Sequence, residues 1–225
     1  MPPSISNPQS LAAAITAVGL VILLLLLRFA YVTYRTGRPH RTPQRRRLRT
    51  LIVLGSGGHT AEMINLLEVL PKERFEPRVY IAAATDNMSL QKARVFESSL
   101  GSQVEVAEFH QVYRSREVGQ SYITSVGTTL FAISHALWLI FQIRPEVIIC
   151  NGPGTCIPLC IAAFFFKLSG LRWSSIFYVE SIARVRKLSL SGLLLYKLHL
   201  ADQIFVQWPQ LQKTYPKAHY VGRLM

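Results

Sequence analysis

The sequence predicts an α/β fold with a mainly parallel, Rossmann-like sheet, preceded by a transmembrane helix. Three observations predict it: a charge-free apolar run near the N-terminus, an alternation of short apolar runs with longer helical segments, and two glycine-rich loops that follow apolar runs. Half of the 225 residues are hydrophobic and 16% are charged, which excludes a disordered polar chain. The length allows one full domain plus an appendage, or two small domains.

The first predicted element is a membrane anchor. Residues 11–27 carry no charge, and the apolar stretch continues close to residue 34, which approaches the ~20 residues that cross a bilayer core. A cleavable signal peptide is the alternative, but that signal has basic residues before its apolar stretch, and no Lys or Arg precedes Leu11. We therefore predict a transmembrane anchor at residues 11–34.

Positive charge is concentrated directly after this anchor. Residues 1–49 hold eight Arg and no acid, whereas the rest of the chain holds 17 basic and 12 acidic residues. The positive-inside rule then predicts a lumenal N-terminus at residues 1–10 and a cytosolic location for the chain beyond residue 35. We interpret residues 35–49 as a basic juxtamembrane linker on anionic headgroups. Nucleic-acid binding is the alternative, but no aromatic interleaving accompanies the charge, so we expect no nucleic-acid partner.

Residues 50–225 are predicted to alternate strands and helices. The apolar run Thr50–Leu54 ends in glycines, as a buried parallel strand does before a tight turn. Thr60 is the predicted N-cap of a helix that continues to Leu70 and stops at Pro71. Glycine or proline ends most later helices in the same way. The other predicted elements are strands at 78–84, 104–109, 147–150, 175–179, 204–207 and 219–221, and helices at 89–100, 122–141, 156–168 and 189–200.

Two further stretches without charge are long enough to span a membrane. Residues 147–166 contain Asn-Gly-Pro-Gly near their middle, which favours a strand, a loop and a helix over a bilayer helix. Residues 118–143 include several Ser and Thr, which favours a helix packed on a sheet. We therefore predict a single-pass protein and leave open whether either stretch contacts the membrane surface.

The first glycine-rich loop, at residues 55–60, is a candidate phosphate site. Gly55, Gly57 and Gly58 let the backbone approach a phosphate, and the following helix N-terminus supplies free N–H donors. No Walker lysine is present, and Thr60 stands where a dinucleotide fingerprint has its third glycine. His59 is the titratable group of this loop. It either orients or deprotonates a hydroxyl or simply caps the turn.

A second glycine-rich loop follows a later predicted strand. It contains Asn151, Gly152, Gly154 and Thr155. Two such loops at the carboxyl ends of parallel strands can meet in one crevice. The alternative is an ordinary connection between a strand and a helix.

Acids at the ends of two other strands are further candidates. Glu180 and Ser181 follow the strand at 175–179, and Asp86 follows the second strand. Glu180 is either a polar site residue or the ion-pair partner of Arg184 or Arg186.

The cysteines predict neither a disulfide framework nor a metal site. Cys150, Cys156 and Cys160 are odd in number and form no CxxC pair, and the last two are spaced as core residues of a helix. We therefore expect a reducing compartment, no metal and no cofactor.

Three motifs together resemble a known family. They are Gly-Ser-Gly-Gly-His-Thr at 55–60, Asn-Gly-Pro-Gly-Thr at 151–155 and Val-Glu-Ser at 179–181. They resemble the membrane-anchored subunits of the UDP-N-acetylglucosamine transferase of asparagine-linked glycosylation, the two-chain enzyme that adds the second GlcNAc to GlcNAc-diphosphate-dolichol. The resemblance covers residues 50–225. The glycine loop more distantly resembles that of bacterial lipid-linked GlcNAc transferases with a two-domain GT-B architecture.

The resemblance implies that this chain is a single Rossmann-like half of a GT-B glycosyltransferase. Residues 50–225 would form the cytosolic acceptor-binding domain, and the donor UDP-sugar would bind a soluble catalytic subunit that the anchor recruits to the endoplasmic reticulum membrane. The chain alone would then be non-catalytic. The alternatives are a self-sufficient single-domain membrane enzyme that uses a nucleotide sugar, and a pure membrane scaffold with degenerate loops.

The resemblance also assigns roles to residues. It places His59 and Glu180 nearest the cleft as candidate catalytic residues, either of which is the base toward the acceptor hydroxyl. Partner docking is predicted at the C-terminal tail, on Tyr220, Val221 and Leu224. The acceptor diphosphate is expected to contact the two glycine loops through Gly55, Gly57, Gly58, Thr60, Asn151, Gly152, Gly154 and Thr155.

Overall fold

The described part of the N-terminal unit is a single long helix. The computed structural model describes residues 8–38, 46–101, 107–113, 122–152 and 154–223, and the chain divides into the units Met1–Thr36 and Gly37–Met225. Helix α1 (Pro8–Arg35) has 28 residues, or about 42 Å at the rise of an α-helix. Its most apolar window has a mean hydropathy of 2.7 and is not buried within the protein, as a membrane-spanning helix requires.

The second unit is built on a seven-stranded sheet, and each described pair of neighbouring strands is parallel. The spatial order is β3-β2-β1-β4-β5-β6-β7. The predicted fold class is therefore confirmed. The strands are β1 (Thr50–Val53), β2 (Arg78–Ala83), β3 (Glu108–Val112), β4 (Val147–Asn151), β5 (Ser175–Val179), β6 (Gln203–Val206) and β7 (His219–Tyr220).

Three of the helix ends have clear capping residues. The Asp86 side chain accepts a hydrogen bond from the Ser89 N–H at 3.2 Å, and the Ser189 hydroxyl accepts one from the Gly192 N–H at 3.0 Å; each satisfies a free donor of a first turn. Gly170 ends another helix in the left-handed conformation. The helices of this unit are α2 (Gly58–Val69), α3 (Asn87–Ser99), α4 (Tyr122–Ile143), α5 (Cys156–Ser169), α6 (Leu190–Lys197) and α7 (Pro209–Thr214).

Helices cover both faces of the sheet, and alternate residues of β1, together with Leu54 directly after it, divide between two apolar clusters. Leu51 and Val53 pack with residues of α4 to α7. Ile52 and Leu54 pack with residues of α2 and α3. Burial on both faces explains why the central strands are continuous apolar runs rather than alternating ones.

The structure corrects the predicted start of α2. Gly57 is the N-cap, and the helix begins at Gly58. Thr60 therefore lies inside the first turn and is not the cap. Its buried hydroxyl donates to the Gly55 carbonyl instead.

The larger differences from the prediction concern β3, α6 and α7, and the other boundaries within residues 50–225 agree to within two residues. β3 begins at Glu108, so the predicted strand at 104–109 covers only its first two residues, and residues 104–106 lie outside the described part of the chain. The helix predicted at 189–200 ends at Lys197. The six-residue α7 was not predicted.

The two additional charge-free stretches adopt the predicted structures. Residues 147–166 contain β4 and most of α5. The stretch at 118–143 contains α4, which packs on α5 and places Ala136, Leu139 and Ile140 in the core. By length and composition alone Val126–Ile143 is a second candidate membrane span, and 28% of it is buried inside the protein.

Candidate functional site

The candidate site lies at the carboxyl ends of β1, β4 and β5. β1 and β4 are neighbours in the sheet, and the chain leaves β1 toward β2 on one side and returns to β4 on the other. This reversal is the topological switch point at which open parallel sheets bind ligands. The predicted glycine loops follow β1 and β4, and Glu180 follows β5.

The first glycine loop has a buried base and an exposed rim. The buried Gly55 carbonyl accepts a hydrogen bond from the Thr60 hydroxyl, and the Ser89 hydroxyl oxygen lies 3.1 Å from the same carbonyl. Gly57 has φ +67°, and Gly57 and Gly58 are exposed with no heavy atom within 4 Å of where a Cβ would lie. The N-terminus of α2 is therefore open to a ligand from the solvent side.

His59 joins the first loop to the second. Its Nδ1 lies 3.1 Å from the Oδ1 of Asn151, and its side chain is 33% exposed. Gly152 has φ +66°, and a Cβ there would lie 2.7 Å from His59 Nδ1 and closer still to Cε1. The imidazole therefore packs directly against the backbone of the second loop, whose Gly154 is exposed and whose Thr155 is buried.

Glu62 is a site residue that the sequence analysis missed. It is 7% exposed, and its two carboxylate oxygens accept hydrogen bonds from Asn151 Nδ2 and Ser181 Oγ, each at 2.8 Å. Its Oε2 also lies 3.9 Å from His59 Nδ1. Glu62 thus connects the ends of β1, β4 and β5. The available signal was its position three residues after His59, on the same side of a predicted helix.

Glu180 lies beneath the site, fully buried. Its carboxylate accepts hydrogen bonds from the N–H groups of Ser181 at 3.0 Å and Ser189 at 2.8 Å. Burial raises the pKa of Glu180, and the hydrogen bonds to Ser189 and Ser181 act in the opposite direction. Its backbone carbonyl accepts from Gln207 Nε2. The Tyr178 hydroxyl also donates to the Glu180 carboxylate at 3.5 Å, and the charge of Arg184 lowers the pKa of Glu180.

Two other sequence candidates have local structural contacts. Asp86 caps α3 and accepts a second hydrogen bond from the Ser89 hydroxyl at 2.7 Å. The three cysteines lie in the core cluster between β4 and the helices, as predicted for Cys156 and Cys160. Their three Sγ atoms lie within 4.8 Å of one another, with 3.7 Å between Cys150 and Cys160.

The first predicted docking residue, Tyr220, lies in the edge strand β7. Tyr220 and Val221 are 45% and 43% exposed, whereas Leu224 lies outside the described residues. Val221 also lines an open apolar groove of about 330 Å³ beside α2, on the face of the sheet formed by β4 to β6. The groove is lined by Leu66, Val69, Leu70, Phe75, Ile149, Phe177, Val179, Gln203, Phe205 and Val221.

Comparison with known proteins identifies the family. The family described as "Oligosaccharide biosynthesis protein Alg14 like" matches residues 50–224. The chain belongs to the Alg14 family. It is 42% identical over 220 residues to the UDP-N-acetylglucosamine transferase subunit ALG14 of Rattus norvegicus, covering 96% of this chain and 98% of the relative. It is 40% identical over 218 residues to the subunit of the same name from Homo sapiens, covering 93% and 96%.

Solved structures share the fold of this Alg14-family chain at low sequence identity. MurG of Acinetobacter baumannii matches with a TM-score of 0.55 and 14% identity, over 78% of this chain and 44% of MurG. A putative UDP-N-acetylglucosamine 2-epimerase of Listeria monocytogenes matches with a TM-score of 0.53 and 15% identity, over 76% of this chain and 42% of that protein. The Alg14-family chain thus spans less than half of each structure, and the fold is of the GT-B type. Its family and its apolar α1 together indicate membrane association.

Proposed function

We propose that this chain is the membrane-anchoring, acceptor-binding subunit of a two-chain UDP-N-acetylglucosamine transferase that adds the second GlcNAc to GlcNAc-diphosphate-dolichol. One observation carries the proposal: His59 is held between two glycine loops at the switch point of a single Rossmann-like domain. The curated relatives are named as subunits of a UDP-N-acetylglucosamine transferase. The activity then belongs to the assembled complex, and this chain alone is non-catalytic.

The acceptor diphosphate binds the rims of the two glycine loops in this proposal. Gly57, Gly58 and Gly154 are exposed, so their backbone can approach phosphate oxygens. The N-termini of α2 and α5 add partial positive charge at the same edge of the sheet. The remaining predicted binding residues are buried and shape the loops from beneath: Gly55, Thr60, Asn151, Gly152 and Thr155.

His59, rather than Glu180, contacts the acceptor hydroxyl in this proposal. A general base has to reach the proton that it removes. The His59 side chain is one-third exposed at the crevice, whereas Glu180 is fully buried with both carboxylate oxygens occupied by backbone donors. Glu180 acts as a positioning residue that holds the segment after β5.

The anchor places this site at the cytosolic face of the endoplasmic reticulum membrane. α1 is long and apolar enough to cross the bilayer, and the arginines that follow it favour the cytosolic side. We assign residues 1–10 to the lumen, 11–34 to the anchor, 35–49 to the basic linker and 50–225 to the acceptor-binding domain. Because the acceptor is itself a membrane lipid, anchoring restricts the encounter to two dimensions.

The soluble donor-binding subunit docks at the tail and the adjacent apolar groove. Helices α2 and α3 pack on β1 and β2, and beyond α2 this face of the sheet leaves Phe177 and Phe205 in the open groove. Val221 connects the groove to the predicted tail. An apolar segment of the catalytic subunit fits this surface, since burying apolar side chains from both chains would stabilise the complex.

Val221→Glu tests this docking surface. A carboxylate in the groove would be buried without a charged partner against apolar side chains, which is unfavourable. Co-purification of the catalytic subunit from membranes is therefore expected to fall at least about tenfold. Val95→Glu is the matched control, because Val95 is 71% exposed on α3, away from the groove. Equal recovery of the partner with both variants would rule out docking at the groove.

Reconstitution tests the function itself. GlcNAc transfer to a lipid-diphosphate acceptor is measured with each subunit alone and with both in one liposome. We expect transfer only with both, and a loss of about 10²–10⁴-fold with His59→Ala. The control is His199→Ala, an exposed histidine after α6. Transfer by this chain alone would favour the self-sufficient enzyme, and full activity after separate His59→Ala, Glu180→Ala and Gly57→Val substitutions would favour the scaffold.

A further inference from the structure

Two side-chain hydrogen bonds beneath the candidate site converge on the carboxylate of Glu62. Glu62 lies on α2, one turn after His59, and is almost fully buried. Its Oε2 accepts from Asn151 Nδ2 and its Oε1 accepts from Ser181 Oγ, each at 2.8 Å. Asn151 in turn faces His59 through its Oδ1, 3.1 Å from Nδ1. The chain of contacts therefore runs from Glu62 through Asn151 to the imidazole.

The chemistry of Glu62 fixes the orientation of the Asn151 amide. An ionised carboxylate only accepts hydrogen bonds, so Asn151 must turn its NH₂ group toward Glu62. The Asn151 carbonyl oxygen is then left to face His59. The hydrogen bond between Ser181 and Glu62 also has a defined direction. Ser181 Oγ accepts from the Ala183 N–H at 3.3 Å and donates its own proton to Glu62.

This orientation selects one tautomer of His59. The Asn151 Oδ1 is an acceptor, so the facing His59 Nδ1 must carry a proton. A neutral imidazole has only one N–H, and Nε2 then holds the free lone pair. Nε2 makes no hydrogen bond to the described residues and is available to an incoming hydroxyl.

We propose that Glu62 is a positioning residue that, through Asn151, holds neutral His59 in the Nδ1–H tautomer and so leaves Nε2 as the proton acceptor. The catalytic consequence rests on the proposed role of His59. The predicted tautomer does not depend on that role, because it follows from the hydrogen bonds among Glu62, Asn151 and His59 alone.

Glu62→Gln reverses the polarity of the relay with little change of volume. The carbonyl oxygen of the introduced amide can still accept from Ser181, while its NH₂ group turns toward Asn151 and requires an acceptor there. Asn151 then presents its Oδ1 to the introduced amide and its own NH₂ to His59. Nδ1 of His59 then accepts a hydrogen bond, and the ring proton moves to Nε2. The His59 nitrogen that should remove a proton from the substrate hydroxyl therefore carries a proton itself.

The experiment uses the full chain in complex with its catalytic subunit in detergent. Long-range ¹⁵N–¹H correlation spectra of ¹⁵N-histidine-labelled protein at pH 8, assigned with His59→Gln, report which ring nitrogen is protonated. We expect Nδ1–H in the unaltered protein and Nε2–H in Glu62→Gln. We also expect kcat to fall about 10²–10⁴-fold while KM for the acceptor changes less than about threefold. Glu68→Gln, an exposed acid on the same helix, should change neither readout.

Each outcome decides the proposal. Nε2–H or a doubly protonated ring in the unaltered protein overturns it, and this test holds even where Glu62→Gln does not fold. Retention of Nδ1–H in a folded Glu62→Gln protein also overturns it. If the tautomer switches while kcat stays unchanged, Glu62 controls the tautomer and the proposed role of His59 as the base fails.

Discussion

Gly152→Ala tests the packing of His59 against the second glycine loop. The added methyl would lie 2.7 Å from His59 Nδ1 and closer still to Cε1, whereas nonbonded carbon atoms settle at about 3.5–4.0 Å. The ring must therefore move by about 1 Å, and its hydrogen bond to Asn151 is lost. Alanine at φ +66° costs a further ~1–2 kcal/mol.

These two effects give the expected size of the change. Strain plus one lost hydrogen bond should lower the free energy of unfolding by about 2–3 kcal/mol. A 1 Å displacement of a side chain that contacts the reacting group can cost about 10²-fold in rate. Urea unfolding of the detergent-solubilised chain and GlcNAc transfer by the reconstituted complex measure the two separately.

Two other glycines separate the effects. Gly101 has φ +80° and no heavy atom within 4 Å of its would-be Cβ, so Gly101→Ala should cost about 1–2 kcal/mol in stability and leave transfer unchanged. Gly154, on the same loop as Gly152, has open space and lies outside the left-handed region, so Gly154→Ala should change stability by less than about 0.5 kcal/mol. If Gly152→Ala lowers stability by the same amount as Gly101→Ala and leaves transfer unchanged, the contact between Gly152 and His59 does not contribute to activity.

Two further predictions concern buried charged groups, one at the opposite edge of the sheet and one beneath the site. Lys167 is fully buried and forms an ion pair with Asp202. Lys167→Met should therefore lower the free energy of unfolding, measured in urea, by about 3–5 kcal/mol, and adding Asp202→Asn should recover part of that loss. A larger loss in the double variant would contradict this. Burial raises the pKa of Glu180, so the folded state binds the Glu180 proton more tightly than the unfolded state does. The protonated carboxyl therefore stabilises the fold fully below the pKa of the unfolded state, and this stabilisation is lost as the pH rises through the pKa of the folded state. Relative to Glu180→Gln, the unaltered protein should therefore gain stability on acidification from pH 8 to pH 5, and a constant difference between the two would disprove this assignment.

The sequence patterns locate the strands that build the site, because those strands are buried on both faces. The strands β1, β4 and β5 are largely apolar runs that lead into Gly, Asn or Glu. Short apolar runs of this kind are typical of strands that are buried on both faces of a parallel sheet, so they are recognisable from sequence. The edge strand β3 is different. Its residues Glu108 and Gln111 are exposed, so no burial pattern distinguishes its register, and the prediction placed it too early.

The polar network beneath the site was less accessible to sequence reasoning. Glu62 and Glu68 are both acids on α2, yet one is buried and the other exposed. What distinguishes them is the contact of Glu62 with Asn151 and Ser181, 89 and 119 residues later in the chain. A single sequence does not encode such pairing locally, whereas the glycine loops are recognisable by composition. The short α7 was missed for the opposite reason, because six mostly polar residues carry no helical periodicity.

Covalent capture of the acceptor is the most direct test of whether this chain holds the acceptor site. A lipid-diphosphate acceptor with a photoactivatable group on its sugar is crosslinked to the assembled complex in liposomes, and the labelled peptides are mapped by mass spectrometry. We expect labels within residues 55–60 and 151–155 of this chain, and we expect competing unlabelled acceptor to reduce them. Labels confined to the catalytic subunit would contradict it.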